Sequence, residues 1–192
     1  MILGWIHSSE SGKGERASAG RLTRSNPGAV WALQDRNAGM QAMDETIKRT
    51  ILDLLDRHRI MSVATLRPDG WPQATTVGFV NEGLSIYFLC GLNSQKAQNL
   101  VRDDRVSLTI NDDPADIMQI TGLSMAGHAR QVEDHAEGAR LIALMPQRYP
   151  DAPPLPMKMP TPDQVRIFRV TPSVISVIDY TKGFAHTDLV TA

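Results

Sequence analysis

The apolar positions Ile47, Ile51, Leu54 and Leu55 recur at helical spacing between residues 44 and 59, so one face of a helix is apolar there. Asp44 can cap its start, and Glu45 and the trio Arg57, His58 and Arg59 match the helix dipole at either end. From Ile60 the pattern changes. IMSVATL (60–66), WPQATTVGFV (71–80), LSIYFL (84–89) and RVSLTI (105–110) are short, rich in β-branched and aromatic residues, and bounded by turn residues, as strands are. Arg67-Pro68-Asp69-Gly70 places Pro and Gly as a type I turn prefers, and Asn81-Glu82-Gly83 has hairpin length. The first three runs therefore form an antiparallel meander, and a short helix at Ser94–Leu100 separates them from the fourth.

A longer strand is expected over 117–134, with Gly122 and Gly127 marking a bulge or bend. Asp134 and Glu137 have the spacing of a capping box for a further helix, whose buried side would be Ala139, Ile142, Ala143 and Met145. Seven of the twelve prolines fall between 146 and 162, which excludes regular structure there. Two last strands, 164–170 and 174–180, lie on either side of Pro172. The architecture implied is mainly β: a barrel of about six antiparallel strands that abolishes its own edges, with helices capping it. Residues 44–192 make this domain. Residues 1–43 carry neither period and hold six of the fourteen glycines, as a disordered N-terminal extension would. Gly12-Lys13-Gly14-Glu15-Arg16-Ala17 has the outline of a dinucleotide fingerprint, but no strand precedes it and the match is accidental.

Composition removes several function classes. A net charge of -1 and a pI near 6.5 leave no electrostatic footprint for nucleic acid. The lone cysteine, Cys90, excludes an internal disulfide and fits a reducing cytoplasm. No apolar stretch reaches the length of a membrane helix. His58, His128, His135 and His186 lack metal-ligand spacing, so no metal is expected, and neither a nucleophile elbow nor a phosphate loop is present.

One local feature points to a ligand. Ser94 suits an N-cap, which puts Lys96 in the first helical turn, where a cation opposes the dipole. An anion seated between Lys96 and the free amides would reconcile the two. The alternative is a solvated lysine on a surface helix.

PQATTVGFV, YFLCG and NSQKAQNLVRDDRVSLTI, followed by IMQITGLSMAGHARQVED, make the chain similar to the FMN-binding split-barrel family that includes pyridoxamine 5'-phosphate oxidase. The resemblance spans about 44–180 and implies a split barrel, a homodimer with cofactor sites at its interface, and FMN as cofactor. It assigns Lys96 to the flavin phosphate, with Ser94 and Gln95 beside it, and the Thr75, Thr76, Val77 and Gly78 backbone to the ring. Two departures matter. Thr75 stands where many relatives carry a phosphate-gripping arginine, and the C-terminus lacks the arginine-rich, tryptophan-bearing segment that holds the oxidase's substrate. The resemblance thus implies a cytoplasmic FMN-dependent oxidoreductase that is not pyridoxamine phosphate oxidase itself, acting on an unassigned small molecule. Lys182, Phe184 and His186 occupy the place of that substrate segment. The alternatives are an F420-dependent reductase, a haem-degrading relative, or a non-catalytic flavin-binding or stress protein.

Overall fold

The computed structural model describes residues 40–151, 153 and 158–192. Its elements, in chain order, are β1 (Met40–Ala42), α1 (Glu45–Arg57), β2 (Ile60–Leu66), β3 (Pro72–Glu82), β4 (Ser85–Gly91), α2 (Gln95–Arg102), β5 (Arg105–Asn111), β6 (Thr121–Gln131), α3 (His135–Leu144), β7 (Val165–Asp179) and β8 (Thr187–Thr191). β2, β3 and β4 form the antiparallel meander, β5 returns to the free edge of β2, and β6 follows on β5. β7 pairs with β4 on one side and β6 on the other, closing a six-stranded antiparallel barrel. β8 adds to β7, and β1 lies parallel on β8.

Alternation fills the barrel. Met61 and Val63 on β2, Val106, Leu108 and Ile110 on β5, and Leu123 and Met125 on β6 point inward and are buried. Phe88 and Phe168 stack across β4 and β7 with centroids 5.6 Å apart. α1 closes one end with Ile51, Leu54 and Leu55, its start capped by Asp44 Oδ1 accepting from the Ile47 amide at 2.8 Å. α2 covers the other end with Ala97 and Leu100.

Four details differ from the sequence-based expectation. The two last strands are one 15-residue strand, because Pro172 sits where β7 leaves β4 and has not yet met β8. Its missing N–H therefore costs no ladder bond on that edge. On the opposite edge the register shifts at Ala126/Gly127, and a Cβ on Gly127 would lie 2.4 Å from the Thr171 carbonyl oxygen. β6 begins at Thr121 rather than 117, after a single 3-10 turn at Ile117–Gln119. α3 buries Gly138, Leu141 and Ile142, not Ala139 and Ala143. Gly138 sets that rotation, since a Cβ there would sit 3.3 Å from Ile167 Cδ1, so the helix approaches the sheet through its bare backbone. The sheet also takes in residues 40–42, inside the expected extension; residues 1–39, the rest of that segment up to its last residue, lie outside the described residues. So does part of the proline-rich stretch.

Candidate cofactor site

α2 begins where the sequence places it. Ser94 is the N-cap, its Oγ accepting from the Ala97 amide at 3.4 Å and its carbonyl from the Gln98 amide at 3.1 Å. The amides of Gln95 and Lys96, in the first turn, have no intrahelical acceptor. Lys96 is half-buried and has no carboxylate within ion-pair distance among the described residues. Gln95 is committed elsewhere: its Nε2 donates to Asn99 Oδ1 at 3.0 Å.

Asn99 is the residue that sequence reasoning missed. It is fully buried, and its Nδ2 donates to Thr65 Oγ1 at 2.9 Å and Gln73 Oε1 at 3.2 Å. A buried amide with three of its four hydrogen bonds made is a rigid strut. It ties α2 to the end of β2 and to the start of β3 at Gln73, two residues before Thr75, whereas Gly78 lies further along β3, opposite Ile60. The available signal was an asparagine between two buried helical positions, Ala97 and Leu100.

The Thr75–Gly78 segment divides between two faces. Val77 packs against the core, and Thr75 also points inward, where its Oγ1 is buried without a partner. Thr76 and Gly78 face outward and are exposed. A Cβ at Gly78 would meet nothing closer than 3.8 Å, so the chain's own packing does not require glycine there. This outward face is built of small residues. Its rows run Ala74–Ala64–Ser107–Ala126 and Thr76–Ser62–Thr109–Ser124 across β3, β2, β5 and β6.

The tail residues sit elsewhere. α2 follows the β4 end paired with Val165 at the start of β7, whereas Lys182, Phe184 and His186 follow Asp179, the last residue of β7. One chain therefore holds the two groups at opposite ends of its barrel. Lys182 Nζ pairs with Asp188 at 3.2 Å and Asp179 at 3.6 Å, and His186 Nε2 lies 3.2 Å from Asp188. Burial opposes ionisation of Asp188, but Lys182 and His186 outweigh it and hold the carboxyl below its usual range. The bond to Asp188 in turn pushes the Lys182 ammonium upward. Phe184 is 70% exposed, with Tyr180 5.6 Å away. Near this end a groove of about 530 Å³ is lined by Asp53, Asp56, Arg57 and Asp179, among others.

The family model described as pyridoxamine 5'-phosphate oxidase matches residues 47–179, from within α1 to the end of β7. The chain belongs to that family. Among its relatives is general stress protein 26 of Bacillus subtilis, 24% identical over 101 residues, which are 50% of this chain and 71% of that protein. A conserved hypothetical protein of Mycobacterium tuberculosis has a similar structure, with 27% identity and a TM-score of 0.61 over 76% of this chain and 89% of its own. A protein titled F420 reductase is 27% identical, with a TM-score of 0.52 over 65% of this chain and 94% of its own.

A flavin nucleotide of the kind the pyridoxamine 5'-phosphate oxidase family binds needs a cation and free amides for its phosphate, and a surface its ring can approach. The α2 turn offers the first through Lys96, and the bare outward face of β3 at Gly78 the second. The residues present fit the group. Among the described residues no cluster of His, Cys, Asp and Glu is arranged for a metal, and no helix is long and apolar enough to cross a membrane.

Proposed function

We propose that this member of the pyridoxamine 5'-phosphate oxidase family is a cytoplasmic FMN-binding oxidoreductase acting as a homodimer on a small molecule other than pyridoxamine phosphate. The observation that carries the reading is Lys96, a half-buried ammonium with no acidic partner among the described residues, at a helix start whose amides also favour an anion. Lys96 and the Gln95 and Lys96 amides hold the phosphate, Ser94 fixes the turn, and the backbone of Thr75, Thr76, Val77 and Gly78 runs along the ring. The flavin, when bound, supplies the redox chemistry, while the protein contributes orientation and electrostatics.

The homodimer is supported by the face of β3, β2, β5 and β6. Two rows of alanine, serine and threonine let a second surface come close without displacing side chains. A paired arrangement also allows one chain's tail, with its exposed Phe184, to reach the other chain's α2 end. Lys182 and His186 are already matched by Asp188 and Asp179, so within the tail it is Phe184 that remains to meet a substrate.

A second reading is an F420-dependent reductase, favoured by the 27% identity to the structure of that title. The absorbance spectrum of the purified protein, before and after incubation with FMN, separates them. Bound oxidised flavin supports the FMN reading; a bound deazaflavin with no FMN uptake transfers the assignment to F420; no cofactor after either incubation contradicts both. Turnover of a reduced nicotinamide with an artificial acceptor then divides an enzyme from a flavin carrier or stress protein.

A further inference from the structure

Arg59 lies in the short link between α1 and β2 and has no carboxylate within ion-pair distance among the described residues. Its Nε donates to the Arg148 carbonyl at 2.6 Å, and its guanidinium carbon lies over the Tyr149 ring, 5.7 Å from the centroid. Neither of its Nη groups has a protein acceptor among the described residues. Asp56, three residues earlier, is engaged elsewhere: it accepts from Asn81 Nδ2 at 3.2 Å and pairs with Arg148 at 3.8 Å. The turn that carries Tyr149 is itself fastened. Arg148 donates to the Leu55 carbonyl at 2.6 Å and to the His58 carbonyl, and its guanidinium lies over the Phe79 ring.

Tyr149 reaches the outward face of β3. Its hydroxyl oxygen is 4.0 Å from where a Cβ on Gly78 would stand, and it makes no hydrogen bond among the described residues. Ile60 is the register partner of Gly78, so the two share that face. Ile60 is 56% exposed there, because Gly78 offers it no cross-strand side chain to pack on. One corner of the sheet thus has an apolar floor, Ile60 and the bare Gly78 backbone, and a polar wall, the Tyr149 hydroxyl and the Arg59 guanidinium.

We infer that this corner binds a small flat carboxylate, its apolar part on Ile60 and Gly78 and its charge on Arg59 and Tyr149. With Nε held by the Arg148 carbonyl, the two Nη groups present the end of a planar fork, which matches the two oxygens of a carboxylate. The Tyr149 hydroxyl adds a neutral donor. Stacking on the Tyr149 ring and the bond to Arg148 restrain the guanidinium beforehand, so less freedom is lost on binding. A neutral molecule of the same shape leaves the guanidinium unmatched. The role of this corner as a substrate site rests on the FMN reading above: Gly78 belongs to the segment assigned to the ring, so the acid would be held beside the flavin.

The test is to titrate benzoate, and its neutral counterpart benzamide, into the full chain with and without added FMN, following the ligand by proton NMR. Wild type should bind benzoate in preference to benzamide. Arg59→Gln should weaken benzoate at least about tenfold, the size of one charge-assisted hydrogen bond, and leave benzamide unchanged. Tyr149→Phe, which keeps the ring beneath Arg59, should weaken benzoate about two- to tenfold. Arg49→Gln, which removes an exposed cation of α1, should bind benzoate as wild type does. In FMN-loaded wild type benzoate should also shift the flavin absorbance band, and in FMN-loaded Arg59→Gln at the same concentration it should not. The inference is overturned if wild type binds no benzoate or binds benzamide equally well, if folded Arg59→Gln binds benzoate as wild type does, or if Arg49→Gln loses as much. Should Arg59→Gln fail to fold, unchanged benzoate affinity in Tyr149→Phe overturns it instead. Benzoate held through Arg59 without any change in a bound flavin's band overturns its place beside the ring. A wild type that takes up no FMN, yet loses benzoate through Arg59→Gln, keeps the acid site and sinks the FMN reading.

Discussion

Two lysines, Lys182 at one end of the barrel and Lys96 at the other, have opposite surroundings. At the end closed by α1, Asp112 accepts from Arg57 at 3.3 Å and from Thr121, and His58 Nε2 lies 3.1 Å away. His58 Nδ1 is also 2.7 Å from the Leu54 carbonyl. Beside it, in the tail, Lys182 is shared by Asp179 and Asp188. At the end closed by α2, Arg105 pairs with Asp103, the C-cap of the helix, at 2.6 Å, Arg102 donates to the Leu66 carbonyl at 3.0 Å, and Asn99 bonds neutral groups, while Lys96 has no carboxylate within ion-pair distance among the described residues. A charge neutralised within the chain fastens elements together. One left uncompensated at partial burial is available to a ligand. Ion pairs occur at both ends, so it is the surroundings of the single lysine, Lys182 or Lys96, that separate a structural cation from a candidate ligand site.

The largest change to this contrast should come from Asn99. Asn99→Leu keeps the branched shape but strands the buried Thr65 hydroxyl, and a buried polar group without a partner costs about 1–3 kcal/mol. The variant should lose about 1–3 kcal/mol of stability, read as a lower denaturant midpoint. A change below about 0.5 kcal/mol would mean that α2 is not held by this strut.

Asp112 gives the next effect, at the other end. Burial disfavours its charge, yet the Thr121 hydroxyl, Arg57 and His58 together keep its carboxyl below the usual range. A depressed carboxyl contributes stability that is present above its unfolded pKa of about 3.9 and is lost as pH falls through and below that value. Asp112→Asn should therefore cost about 1–2 kcal/mol at neutral pH and lose less than wild type does between about pH 5 and about pH 3. Parallel stability curves for the two proteins over that interval would show that Asp112 does not hold α1 to β6.

The smallest effect belongs to the tail. Lys182 is about half-exposed, so its ion pairs are solvent-screened. Lys182→Met should change stability by about 0.5 kcal/mol or less, as read by thermal melting. A loss several times larger would place the tail among the elements the fold depends on.

Much of the fold was legible because strands β2 to β5 announce themselves by alternation and by turn residues at Gly70 and Gly83, both at positive φ. Pro172 misled because proline forbids a ladder bond only on the edge its nitrogen faces, and sequence does not say which edge is paired. The buried side of α3 was misassigned because it includes a glycine, Gly138, in line with Leu141 and Ile142, and a glycine carries no apolar signal. β8 was read as tail because Thr187–Thr191 is too short to show a period. In the site, Lys96 stood out through its conflict with the helix dipole. Asn99 did not. Its role depends on what lies across from α2, and the register of β2 on β3 fixes that while local pattern does not.

The most direct test compares FMN affinity in two charge reversals, Lys96→Glu and Lys182→Glu, each checked for folding by circular dichroism. The contrast between the ends predicts that Lys96→Glu weakens FMN at least tenfold, from the loss of a charge-assisted bond worth about 1.5–3 kcal/mol, and stays folded. Lys182→Glu should bind FMN as wild type does. Equal FMN affinity in wild type and Lys96→Glu, or an equal loss in both variants, would contradict the assignment of the α2 end as the cofactor site.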